Sequence, residues 1–441
     1  MSPVLLKAAV LMATAFLAGC GGISELGFLN KDKKLVGERT TVFSTSSALP
    51  DGVEKTASIS GPSANPDWPQ PGGNAQNAPG HVAFAGGGTR AWRANVGGTN
   101  FTGGLRGSLR IASRPVMSGD RVYVYAPDGT VTALSAGSGG RVWRANLRPE
   151  GERDSVNGGG IAVDGGRVFA ATGYGEVVAL DASNGEVIWT KPVDTPLRGA
   201  PTASAGKVFV VSQQNEVFAI NQSDGSEAFT YAGIPEQAGL LAASSPAVSG
   251  DTVVIPYTSG EVMAFSISKG EAKWQTFVTR PQRTLAITGL PDVSGSPVIV
   301  GNTVYATGVG GRTIAVDLNS GTEKWGVDVG SANTPAVSGD SLFLVDLVGQ
   351  MVALSRSTGE VLWVRELPKP KKKKDGAYSG PVLAGGSLWA ISNNGRLAQL
   401  DPSNGTILSD RDVGTAGFAS PIVAGGQMII VSGTGEVSAL R

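Results

Sequence analysis

The chain has 441 residues but only one cysteine and one histidine. A single cysteine excludes an internal disulfide, and one Cys with one His cannot build a metal-ligand cluster. His81 lies in a loop-like stretch and reads as a polar surface group rather than a base or ligand. Charge is scarce at 16%, and it balances: Lys+Arg 36 against Asp+Glu 36. A neutral chain lacks the basic surface that general nucleic-acid binding requires. The N-terminal apolar run, Ala8 to Ala18, is too short to cross a bilayer as a helix. What abounds is glycine, at 64 residues with no collagen-like period. That points to many tight turns and therefore many short strands. With 41% hydrophobic residues the chain also has ample material for a large core.

Residues 1–19 read as a secretory signal, with Lys7 supplying the positive region ahead of the apolar run. The run ends in "LAGC", Leu17 to Cys20. This resembles the bacterial lipoprotein signal, which implies that Cys20 is lipidated and becomes the mature first residue. The alternative is an ordinary cleavage site beside a chance cysteine. Gly21 and Gly22 follow, so the inner-membrane retention Asp of such proteins is absent. By resemblance that places the protein at the outer membrane, lipid-anchored and facing the periplasm. Residues 20–80 are rich in Ser, Pro, Gly and Asn and are expected to form a lipidated N-terminus and flexible tether, with Trp68 docking on the folded body.

From about residue 110 the chain repeats one unit with three landmarks. They are Pro115–Gly129–Trp143, Ile161–Gly175–Trp189, Pro201–Asn215–Phe229, Pro246–Gly260–Trp274, Pro297–Gly311–Trp325, Pro335–Gly349–Trp363 and Pro381–Gly395–Ser409. Both intervals are 14 residues in every unit, and all length variation falls between units. Fixed units joined by variable loops mark a repeat architecture. Within a unit the hydrophobic period is two, which gives four short strands, as in a propeller blade. The middle Gly fits a positive-φ turn position, and Asn215 is the residue that best tolerates the same conformation.

An eighth unit has Pro421 and Gly435 but the chain stops at Arg441 before a closing Trp. "GTRAWRANV" (88–96) carries that missing strand, with Trp92 in the Trp place. The expected fold is therefore all-β: an eight-bladed β-propeller of four-stranded antiparallel blades over residues 81–441, closed by an N-terminal strand in the C-terminal blade. The aromatic residues Trp92, Trp143, Trp189, Phe229, Trp274, Trp325 and Trp363 are expected to wedge against neighbouring blades, each indole N–H bonding a backbone carbonyl. Phe229 keeps the packing without the donor and Ser409 keeps neither, so the seventh blade is expected to be the loosest.

The phrase "ALDASNGEVIW" (179–189) and its copies resemble the Trp-docking motif of the pyrroloquinoline-quinone (PQQ) propellers. That family has an enzymatic branch, the quinoprotein dehydrogenases, and a scaffold branch, the BamB-type lipoproteins of the outer-membrane β-barrel assembly machinery. The dehydrogenases seat the cofactor against adjacent cysteines, which this sequence lacks, and no acidic cluster stands out in its inter-blade loops. The lipoprotein signal, the tether and the eight-blade closure resemble the scaffold branch instead. The resemblance implies a non-catalytic protein without cofactor, a monomer within a complex, that binds a periplasmic POTRA domain of the barrel-inserting subunit. Unfolded outer-membrane proteins are expected as a further partner, with blade edges or loops transiently receiving their strands by β-addition. The alternative readings are a periplasmic propeller for polysaccharide or peptide, and a PQQ-dependent dehydrogenase.

In the scaffold branch the partner is met by loops of the fourth and fifth units, here "EQAGLLAASSP" (236–246) and "TGLPDVSGSP" (288–297). By that resemblance Leu240 and Asp292 take an apolar and an acidic contact position, while Leu241 and Ser294 depart from residues common at theirs. The other reading of both leucines is burial between blades. "PKPKKKKDG" (368–376) carries Lys371, Lys372, Lys373 and Lys374. It reads as a solvated loop, or as a contact to an anionic surface. "TRPQRTLAITG" (279–289), with Arg280 and Arg283, is a weaker candidate of that kind.

Overall fold

The computed structural model describes residues 49, 52–86, 89–97, 110–235, 244–279, 292–369 and 377–441. Their strands form eight four-stranded antiparallel sheets, one per repeat unit. In the first blade the strands are Val116–Ser118, Arg121–Tyr125, Thr130–Ser135 and Arg141–Asn146, from the inside outwards. The other blades repeat this order. The variable loops join an outer strand to the next blade's inner strand, so they share one face of the ring. The turn between each blade's two outermost strands lies on the opposite face.

The ring closes as expected. Arg90–Asn95 pairs with Glu436–Leu440, with Trp92 opposite Ala439 and Asn95 opposite Glu436. Thr89 and Arg441 exchange both backbone bonds, at 2.9 and 2.8 Å. Closure leaves no unpaired ends of the array to aggregate.

The repeated eleven-residue phrase has a physical explanation. Each indole N–H donates to a carbonyl in the outer turn of the following blade: Trp92 to Ala136 at 2.7 Å, Trp143 to Ala182 at 3.0 Å and Trp189 to Gln222 at 3.0 Å. Trp274 reaches Leu318 at 2.7 Å, and Trp325 and Trp363 reach Arg356 and Pro402, both at 3.0 Å. The ring face lies on the glycine of that same turn. A Cβ at Gly185 would stand 2.6 Å from the Trp143 ring, and Gly185 has φ +79°, so the glycine is required twice over. Trp363 is fully buried, whereas Trp189 and Phe229 are half-buried. Beside Phe229 a groove of about 570 Å³ opens between blades three and four.

Blade seven fills the place of the missing Trp in another way. In blade two the row across the sheet is Phe169–Ala179–Trp189, and in blade six it is Phe343–Ala353–Trp363. A small central alanine lets the flanking aromatics meet, 6.0 and 5.9 Å apart by centroid. In blade seven the row reads Trp389–Gln399–Ser409. The bulky residue has moved two strands inward. Phe84 packs edge-on against Trp389 at 5.9 Å, and Arg411 lies over its ring. Ser409 donates to Gln399 at 3.0 Å.

The largest departure concerns the tether. Part of the stretch 20–80 is fixed on the ring, and Trp68 is buried as expected. Residues 60–85 bond to the inner strand or its adjoining residues in every blade. Ser60 meets Ser338 and Gly339, and Asn65 meets Val423 and Gly425. Trp68 exchanges both backbone bonds with Met117, and Pro69 accepts from Val163. Gln70 bonds Ala203, Ala75 accepts from Val248, Gln76 accepts from Ile299, and Val82 exchanges bonds with Leu383 and Gly385. The Asn77 amide donates to Pro246 at 3.1 Å and to Pro297 at 3.0 Å. The segment is a hub that closes one mouth of the central channel. His81 belongs to it and is not a surface group. It is 6% exposed, its Nδ1–H donates to Ser60 O at 2.7 Å, and its Nε2 accepts from Gly386 N–H at 2.8 Å.

Candidate functional site

The loops expected to meet a partner join blades three to four and four to five, on the face opposite the hub. Leu240 and Leu241 lie outside the described residues, as do Cys20, Arg280, Arg283 and Lys371, Lys372, Lys373 and Lys374. The flanks of both loops are described, and they show what frames the site.

Asp292 and Ser294 do not sit where the expectation placed them. Both are buried, at 0% and 4% exposure. The Asp292 carboxylate pairs with Arg198, which comes from the loop between blades two and three and is itself 3% exposed. The same guanidinium donates to Val293 O at 3.3 Å. Backbone bonds fix both ends of the pair: Arg198 N–H donates to Val211 O at 3.0 Å and Val309 N–H to Asp292 O at 3.0 Å. Burial lowers the Arg198 pKa, and Asp292 opposes that shift by favouring the cation. A buried pair of this kind adds little net stability, but losing one partner strands a charge. Asp292 is thus an internal brace, and a partner would have to displace Arg198 to use it.

Two residues that the sequence reading missed do face solvent here. Ile234 is 60% exposed and Phe277 is 51% exposed. They flank the same turn of blade four. Phe277 stands opposite Glu261 at the end of that turn. Asn215, at φ +62°, donates to Ile234 O at 2.7 Å and accepts from Thr258 N–H and Oγ–H at 3.2 and 3.0 Å. Asn215 therefore does more than tolerate its turn: its side chain ties the blade-three loop to blade four. At these positions large apolar side chains are available for contact with a partner. The available signal was positional, since both residues adjoin long loops. Among the described residues no group of three or more His, Cys, Asp or Glu side chains is arranged to hold a metal ion.

Comparison with known proteins agrees with this architecture. The profile of the family described as "Outer membrane protein assembly factor BamB" matches residues 78–154, 127–365 and 347–441. Proteins of that name from Salmonella typhimurium and Yersinia pestis are 30% and 28% identical over 360 and 357 residues; each alignment covers 80% of this chain and 88% of the relative. The crystal structure of BamB from Moraxella catarrhalis superposes with a TM-score of 0.66 at 21% identity, covering 77% of this chain and 99% of that one. A quinohemoprotein alcohol dehydrogenase from Comamonas testosteroni gives the same TM-score at 14% identity, over 85% of this chain and 80% of the other, which shows a shared fold alone. The Arg198–Asp292 and Asn215–Thr258 links thus frame one face of a propeller that belongs to the family of outer membrane protein assembly factors named BamB.

Proposed function

We propose that this protein is a non-catalytic scaffold lipoprotein of the outer-membrane β-barrel assembly machinery. It binds a periplasmic POTRA domain of the barrel-inserting subunit and so aids folding and insertion of outer-membrane proteins. The observation that carries the reading is the exposure of Ile234 and Phe277 beside the two inter-blade loops, near the Asn215 link and the buried Arg198–Asp292 pair. In this reading Leu240 and Leu241 are further apolar contact residues, while Asp292 braces the loop from within and Ser294 is buried near it. Family membership supports the assembly role and the outer-membrane location.

Lipidated Cys20 anchors the protein on the periplasmic side. Lys371 to Lys374, between the sixth and seventh units in sequence, carry positive charge suited to an anionic surface. The propeller contributes position rather than chemistry, which needs no cofactor. An affinity pull-down of the full lipidated chain from solubilised outer membranes tests this. Recovery of the barrel-inserting subunit is expected. Its absence, with retention of the chain on a polysaccharide matrix, would favour a sugar-binding propeller instead.

A further inference from the structure

Blade six differs from the other blades at its outer edge. Its outer strand, Val361–Glu366, is covered by an extended stretch of the N-terminal segment. Glu54 lies opposite Trp363 in an antiparallel bridge, and Lys55 N–H donates to Leu362 O at 2.7 Å. Lys55 pairs with Glu360, and Arg365 with Glu54 at 3.0 Å, so ion pairs to residues on either side of Trp363 hold the added stretch. Ala57 N–H then bonds Ser403 O at 2.9 Å. Under this cover Val361 is 8% exposed and Leu362 is half-buried.

The recognition features of that edge are an acid, two large aliphatic residues, the Trp, and a base two positions later: Glu360, Val361, Leu362, Trp363 and Arg365. Blade two repeats the whole pattern as Glu186, Val187, Ile188, Trp189 and Lys191. No other blade does. Blades three, four and five carry Ala228, Lys273 and Lys324 at the second aliphatic place, and blade seven has Thr406 for the acid and Ser409 for the Trp. Yet on blade two Val187 is 55% exposed and Ile188 43%. Large aliphatic side chains on an uncovered edge strand invite strand addition, because each added residue pairs idle N–H and C=O groups while covering apolar surface.

We infer that the outer edge of blade two, Val187–Pro192, is a strand-addition site for an extended polypeptide segment that carries alternating apolar residues and an acid–base pair. A transmembrane strand of an unfolded outer-membrane β-barrel chain has the required alternation. The choice of that occupant rests on the assembly reading above; the edge itself rests on the comparison with blade six.

The test uses the full mature chain with Cys20→Ser, so that one introduced cysteine can carry a benzophenone label. Ile188→Cys and, at the same register in blade four, Lys273→Cys are labelled and mixed with an outer-membrane β-barrel protein diluted from urea. Photo-adducts at position 188 should exceed those at 273 about tenfold, equivalent to about 1.4 kcal/mol. A peptide of residues 52–59 should compete. Exchanging its Glu54 and Lys55 should weaken competition, and the double variant Glu186→Lys/Lys191→Glu should restore it. Equal adducts at 188 and 273, or none at 188, would overturn the inference. Either result, obtained while the pull-down still recovers the barrel-inserting subunit, removes this edge and leaves the assembly reading in place.

Discussion

The carboxamide of Gln70 pairs with the backbone of Ala203 as a neighbouring strand would: Nε2–H donates to Ala203 O at 2.9 Å, and Oε1 accepts from Ala203 N–H at 3.1 Å. The same Nε2 also donates to Val163 O at 3.1 Å, so one side chain bridges blades two and three inside the ring. Gln70→Leu leaves those backbone groups buried and unpaired, at a cost of about 1–3 kcal/mol. Thermal unfolding should show a lower midpoint for Gln70→Leu, and an unchanged midpoint would mean that the hub is dispensable to the ring.

The wedging tryptophans should not be equal. Trp363 is fully buried and Trp189 is not. Trp363→Ala should cost about 3–5 kcal/mol, and Trp189→Ala measurably less. Denaturant midpoints of the two variants, taken side by side, check the order.

Blade seven should depend on a residue outside its own sheet. Phe84→Ala removes the ring packed on Trp389 and should cost about 3 kcal/mol. Ser409→Trp alone should not stabilise the protein, because Gln399 occupies the place where other blades carry alanine. Adding Gln399→Ala and Trp389→Phe to Ser409→Trp restores the standard row and should recover stability, as read from melting.

Asp292→Ala strands the Arg198 cation in the interior and should cost about 3–5 kcal/mol. The double variant Asp292→Leu/Arg198→Met removes both charges and should be far less damaging. Unfolding measurements on Asp292→Leu, Arg198→Met and the double variant form a cycle. Additive losses would show that the pair is not coupled.

The ring was legible because its determinants are local and repeated. Pro115, Gly129 and Trp143 keep fixed spacing since each blade solves the same turn and packing problem, and Asn215 could be recognised from turn conformation alone. The hub was not legible. Gln70 and Asn77 act on backbone groups more than ninety residues away in sequence, and a stretch without periodicity gives no sign of which strands it crosses. The same limit hid the Arg198–Asp292 pair, 94 residues apart, and made Asp292 read as a contact residue rather than a brace. In blade seven the missing Trp was visible, but its replacement from Trp389 and Phe84 required knowing that those residues meet.

The central claim is that the face beside blades three and four holds the barrel-inserting subunit. Ile234→Asp/Phe277→Asp tests it most directly, because both side chains already face solvent and the fold should keep its melting midpoint. The account predicts that this variant, purified from solubilised outer membranes beside the unaltered chain, loses most of the co-purifying barrel-inserting subunit. Undiminished recovery at an unchanged midpoint would contradict it.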